Sequence, residues 1–197
     1  MQKKRYAGYI AGGILILLGI FLITGYNGLV RKEEKVKKDW SEVQNTYQRR
    51  LDLIPNLVNV VKGVSDFEQN TLVQITEARS NALKGLANTE PTADNIKNQQ
   101  RLQDAVAAAA NRLIIQIERY PDLKGTSAYL GLQKQLAGTE NRVRVARQDF
   151  NESVAAYNQK IRSFPMNIFA GLFGFHTRES FAADAGAEKA VEINFTK

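Results

Sequence analysis

The chain has 197 residues, 44% of them apolar, with no cysteine and one histidine. Zero cysteines exclude a disulfide framework and thiolate metal sites, and the lone His176 removes nearly all histidine-metal and histidine-base chemistry. The formal charge of +7 is a weak argument for nucleic acid. Lys3, Lys4, Arg5, Arg31, Lys32, Lys35, Lys37 and Lys38 all flank one apolar run, where anionic headgroups explain them, and no nucleic-acid-binding signature accompanies the charge.

That run is Ala7 to Gly25, AGYIAGGILILLGIFLITG, with no charge and Thr24 as its one clearly polar side chain. A helix of ~20 residues rises ~30 Å, the thickness of a hydrocarbon core. Tyr6, Tyr9 and Tyr26 stand near its ends, where aromatic rings favour the headgroup layer. The sequence therefore predicts a short basic tail over 1–6 and a transmembrane anchor over 7–26. A cleaved signal peptide is the alternative. The exit Tyr26-Asn27-Gly28-Leu29-Val30 contains no small-x-small cleavage site and argues against it. Gly8, Gly12 and Gly19 fall near one face of this helix and suit close helix–helix association. Glycine is common in membrane helices, so an incidental occurrence explains them equally well.

Orientation rests on opposing signals. Five basic residues follow the run and three precede it, which favours a cytoplasmic bundle under the positive-inside rule. A short basic tail before an apolar run instead has the form of an uncleaved signal anchor. The expectation is a single-pass membrane protein with the domain that follows the anchor on the exported side.

From Asn27 the spacing is helical. Leu29, Glu33, Val36, Trp40, Val43, Tyr47, Leu51, Ile54, Val58 and Val61 form one stripe, with Glu33 its only polar member. Pro55 interrupts a stripe that keeps its register, so a kink is expected there; a restart capped by Asp52 is the alternative. Gly63 is a candidate helix end, and Ser65 with Glu68 has capping-box spacing. The stripe resumes through Val64, Phe67, Thr71, Ile75, Ala78, Ala82 and Leu86. Residues 27–86 thus form two helices or one long bent one.

A break at Lys84–Pro91 precedes a third helix, roughly Thr92 to Arg119, with Ile96, Leu102, Val106, Ala109, Leu113, Ile117 and Tyr120 on its stripe. The last helix runs from about Ser127 to Arg162 with a seam from Tyr129 to Ile161. It is over ~50 Å long and needs partners of similar length. Phe164-Pro165 stops it. The apolar stretch Met166–Phe175 is too short to span a bilayer, and either lies in the interface or caps the core. The tail from Thr177, with Val191, Ile193 and Phe195, is expected to be loosely packed or disordered.

Catalytic spacings are missing: there is no G-x-S-x-G, H-E-x-x-H or Walker loop. Glu118 and Asp122 read as a solvated turn, and Arg49-Arg50 beside Asp52 reads better as an intrahelical ion pair than as an anion site. No enzyme activity, cofactor, metal, nucleic acid or small-molecule substrate is expected. The lipid bilayer is the expected partner.

Arg49-Arg50-Leu51-Asp52-Leu53-Ile54-Pro55-Asn56-Leu57-Val58, with Glu77-Ala78-Arg79, Glu118-Arg119-Tyr120-Pro121-Asp122-Leu123-Lys124, Tyr157-Asn158 and Phe164-Pro165, resembles the LemA family of bacterial membrane proteins. The sequence departs from the family pattern at Val64-Ser65-Asp66 and at Phe150. The resemblance implies an all-α fold: an N-terminal transmembrane helix followed by an antiparallel up-and-down four-helix bundle over 27–163, then an apolar segment and tail over 164–197. It also favours a true break between the first two helices. It implies no enzymatic activity. Arg49, Arg50, Asp52, Pro55 and Asn56 are the expected packing or assembly motif, and Gly8, Gly12 and Gly19 the expected membrane-association face. The functional expectation is a homo-oligomeric envelope scaffold. The alternative is a signalling or adaptor module, linked to envelope stress or two-component-type signalling, with a membrane or envelope protein partner.

Overall fold

The computed structural model describes residues 2–62, 68–87 and 90–182. Among these the secondary structure is helical, with no strand. Helix α1, Gln2–Val61, runs 60 residues without interruption, about 90 Å at 1.5 Å per residue. Helices α2 (Gln69–Leu86), α3 (Ala93–Ile117) and α5 (Ser127–Arg162) complete the bundle. The short α4 (Pro121–Lys124) and α6 (Met166–Phe169) occupy the connection before α5 and the segment after it.

The first part of α1 is long and apolar enough to cross a membrane. Its side chains lie open on several faces, with Ile14, Leu15, Ile16 and Leu17 all at least 60% exposed. A core helix of a soluble protein would bury such a set. Thr24 donates its hydroxyl hydrogen bond to its own helix, toward Ile20 O at 2.8 Å and Phe21 O at 3.0 Å, an arrangement compatible with an apolar surrounding.

Beyond Gly28 the same helix becomes the central post of the bundle. Its predicted stripe is buried at Leu29, Val36, Trp40, Val43, Tyr47, Leu51, Ile54 and Val61. Antiparallel α5 lies along it: Arg147 meets Tyr47, Glu140 meets Arg50 and Lys160 approaches Gly28. Helices α2 and α3 form a hairpin against the far half of α1, joined by Arg112–Gln74 and Gln116–Glu68 hydrogen bonds. Leu102 packs so closely over Gly85 that a Cβ there would lie 2.5 Å from its Cδ1. Two apolar clusters result. The far one joins α1, α2, α3 and the start of α5. The near one joins α1 and α5 with Ile96 and the C-terminal segment.

Helix boundaries follow the expectations closely for α3 and α5. Thr92 and Thr126 cap them, each accepting from the N–H three residues on. The first two bundle helices are separate, with α1 ending at Val61 and α2 beginning at Gln69. Asp52 starts no helix, because α1 continues through Pro55. The capping box is corrected: Glu68 is itself the N-cap residue of α2 and makes no side-chain cap bond. Gly63, Val64, Ser65, Phe67, Val191, Ile193 and Phe195 lie outside the described residues.

The largest departure is the chain after Phe175. The expectation of a loose tail fails through Ala182. Phe181 is buried and stacks on Trp40 at 6.0 Å and edge-on to Phe150 at 5.6 Å, closing a three-ring cluster with the Trp40–Phe150 pair at 5.3 Å. This strap covers the near half of the α1–α5 pair.

Candidate functional site: a cross-braced mid-bundle and its strap

Halfway along the bundle, α1 is tied by polar contacts to all three long partners. Arg50 is the hub. Leucine and isoleucine neighbours on the stripe carry it inward to 3% exposure. Its Nη1 donates to Gln103 Oε1 of α3 at 3.2 Å, and its Nη2 pairs with Glu140 of α5. Burial pushes the guanidinium pKa below its ordinary value, and the Glu140 carboxylate opposes that shift. Arg50 Nε and the Gln103 side-chain amide nitrogen have no protein partner.

One turn along, Arg147 donates from Nε to the Tyr47 hydroxyl at 2.7 Å. Its guanidinium lies 5.5 Å from the Tyr47 ring centroid and 5.0 Å from that of Phe181. Burial raises the Tyr47 phenol above its usual pKa, with Arg147 acting against it. Arg50, Asp104, Glu140, Arg147 and Phe181 line an open groove of about 810 Å³ between α3 and α5. Its basic and acidic side chains balance one another.

Pro55 supplies the third tie. Proline lacks the N–H that would bond the carbonyl four residues earlier, so Leu51 O loses its helical donor. Arg79 Nε of α2 donates to that carbonyl at 2.9 Å. The proline thereby opens an acceptor on a part-buried turn, and a neighbouring helix docks there. Arg79→Met is expected to cost about 1–2 kcal/mol by orphaning this carbonyl, and much less in a Pro55→Ala background, where the restored backbone N–H refills it. Urea unfolding of the four proteins in detergent measures the coupling. Strictly additive effects would sink the assignment.

The expected motif thus divides. Arg50 reaches the interior, while Arg49, Asp52, Pro55 and Asn56 lie on the solvated side. The intrahelical ion pair expected between Arg49-Arg50 and Asp52 does not form: Asp52 accepts from Gln48 at 2.8 Å, and Arg50 turns to Glu140. A Cβ placed at Gly8, Gly12 or Gly19 would meet nothing within 4 Å, so that face is open in the single chain. His176 is exposed, and Glu118 pairs with Lys124 at its turn.

Two asparagines that the sequence reading did not single out as site residues hold the strap. Asn158 accepts from Arg178 N at 2.9 Å and donates to Arg178 O at 2.8 Å. Asn151 does the same for Phe181, at 2.9 and 3.2 Å. Seven helical residues and three extended ones each span about 10 Å, so the two ladders match in pitch. Glu33, the one polar member of the α1 stripe, receives Arg178 Nη2 at 2.7 Å. The available signal was an i, i+7 asparagine pair on α5 beside a charge inside an apolar seam.

No group of three or more histidine or carboxylate side chains suited to a metal occurs among the described residues.

The family model described as LemA family matches residues 39–195. Protein LemA of Metamycoplasma hominis is 26% identical over 79% of this chain and 69% of its own length. Magnetosome protein MamQ of Magnetospirillum gryphiswaldense is 25% identical over 81% of this chain and 65% of its own. Magnetosome protein MamQ 2 of Paramagnetospirillum magneticum is 22% identical with the same coverage. The chain thus spans about two thirds of the length of these relatives, and none of their names states a reaction. With the family match running from Asp39 at the near end of the bundle through the strap and beyond, the chain belongs to the LemA family.

Proposed function

We propose that this chain is a non-enzymatic, single-pass membrane protein of the bacterial inner membrane. Its bundle faces the extracytoplasmic side and self-assembles into an envelope scaffold. The carrying observation is the unbroken α1: one helix serves as both anchor and central post. A load on the bundle passes to the membrane without a flexible joint, which suits a protein that holds membranes or partners in position. The specific motif supports the same reading, because Arg50, Leu51 O and Arg79 tie helices to one another across the bundle. The relatives called magnetosome proteins are in keeping with a structural role at a membrane.

One preparation tests both parts of the reading. The chain has no cysteine, so a single cysteine at exposed Lys134 or at Gln2 labels cleanly. Intact cells treated with an impermeant maleimide should label the Lys134 variant and not the Gln2 variant. Mild detergent extraction should then give a homogeneous particle of several chains by light scattering. A strict monomer would defeat the scaffold. Labelling at Gln2 alone would put the bundle inside and favour the adaptor reading, in which the same continuous helix relays a shift in packing to a heterologous partner.

A further inference from the structure

After Arg162 the chain turns at Phe164-Pro165 and folds back on α1 through α6 and the turns that follow it. One side of this segment is buried. Met166, Ala170 and Phe175 are at most 7% exposed and belong to the near core cluster. Met166 fills the space over Gly25, where a Cβ would lie 2.0 Å from its Cε. Phe173 and Phe175 meet the Tyr26 ring edge-on at 5.4 and 5.5 Å. Phe21, one turn inside the apolar run, packs against the same cluster, as does Phe169.

These contacts fix a height. Gly25 closes the uncharged run and Phe21 lies about 6 Å deeper along it. A segment seated on Gly25 and Tyr26 is level with the last turn of the membrane-crossing helix and cannot stand clear of a bilayer that α1 crosses. Its outer side is mainly apolar, with Asn167 the polar side chain among the exposed residues of 164–173. Phe164 is 80% exposed, Leu172 81% and Ile168 58%, and Ser163 to Phe175 carries no charged residue. Directly behind this tip come Lys160 and Arg162 on α5 and Arg31 and Lys32 on α1. An apolar tip with a cationic collar is the order an interfacial element requires: side chains at the acyl boundary, ammonium and guanidinium groups among the headgroups.

We propose that residues 164–173 form a second membrane contact, a wedge inserted into the leaflet from which the bundle emerges. It rests on α1 crossing the bilayer and is independent of the scaffold reading. Its effect is to fix the tilt and rotation of the bundle, which a single helix leaves free.

The test uses the full chain in vesicles of 7:3 phosphatidylcholine and phosphatidylglycerol. An environment-sensitive NBD label is placed on single cysteines at Ile168 or Leu172, with Ile16 as the anchor control and exposed Gln148 as the aqueous control. Probes at 168 and 172 should emit to the blue of the Gln148 probe and be quenched about twofold or more by lipid carrying a nitroxide near the headgroup, while the Ile16 probe, about mid-bilayer, should be quenched by lipid carrying its nitroxide deep in the acyl chain. Water-like emission and iodide quenching at both positions, with the Ile16 probe quenched by lipid, would overturn the wedge and leave the span intact. An unquenched Ile16 probe would overturn the span and the wedge together. Blue-shifted emission that lipid does not quench, and that disappears on dilution into excess lipid, would mean that a second copy covers the face and would equally overturn the proposal.

Discussion

Trp40→Ala is expected to cost the bundle about 3–5 kcal/mol, the range for removing a fully buried large aromatic. The indole is 1% exposed and stands where α1, α5 and the strap meet. Neighbours from three segments cannot all collapse into the vacated volume, so most of it persists as a cavity. The loss should also be uneven. Phe181 keeps Phe150 but loses its stacking partner, so the strap should loosen before the helices separate. Urea unfolding followed by circular dichroism measures the global term, and limited proteolysis beyond Phe175 reads the local one. A cost below about 1 kcal/mol, with an unchanged strap, would show that the cluster is peripheral to stability.

The cluster also marks where sequence reasoning stops. Trp40 and Phe150 were legible because each sits on a helical stripe whose period is repeated many times. The seam of α5 was legible for the same reason, and its predicted members from Tyr129 to Ile161 are buried apart from Leu132, which is half-buried. Phe181 has no such support. It lies in a short extended stretch, where a few residues carry no period and no cap. What holds it is a pair of asparagine ladders reaching back 30 and 20 residues. Their pitch match appears only once helix and strap are seen side by side.

The mid-bundle motif was legible as special but not in its wiring. Helical spacing places Arg50 next to Leu51 and one turn from Ile54, which locates it near the seam. It does not say that its partners lie 53 and 90 residues away. Short-range logic favoured Asp52 as partner of the Arg49-Arg50 pair, but Arg50 and Asp52, two residues apart, lie on different faces of the helix, and Arg50 turns inward to Gln103 and Glu140. Pro55 was read as a kink because the missing N–H is a local fact. The Leu51 carbonyl it frees is a tertiary opportunity, visible only when Arg79 is seen to take it. The apolar length of the first helix, by contrast, was legible directly, since nineteen uncharged residues in a row need no tertiary partner to be read as a candidate membrane span.

The hub itself yields the second large effect, and it is asymmetric. Arg50 is nearly sealed from water, whereas the Glu140 side chain is 46% exposed. Removing Glu140 leaves a buried cation held by Gln103 alone. Removing Arg50 leaves a carboxylate that water can still reach. Glu140→Gln is therefore expected to cost about 2–3 kcal/mol, below the full penalty for a sealed pair because solvent enters from one side. Arg50→Met, similar in length and wholly apolar, is expected to cost less, about 1–2 kcal/mol: it removes a desolvated charge together with its need for a partner, but leaves the buried Gln103 Oε1 without its donor. In the Arg50→Met background, Glu140→Gln should then become nearly silent. Reversible urea denaturation in detergent gives all three differences. If Arg50→Met proves the costlier single change, the pair stabilises the bundle outright. If it proves cheap but broadens the unfolding transition or the particle size, Arg50 selects one helix register over its neighbours.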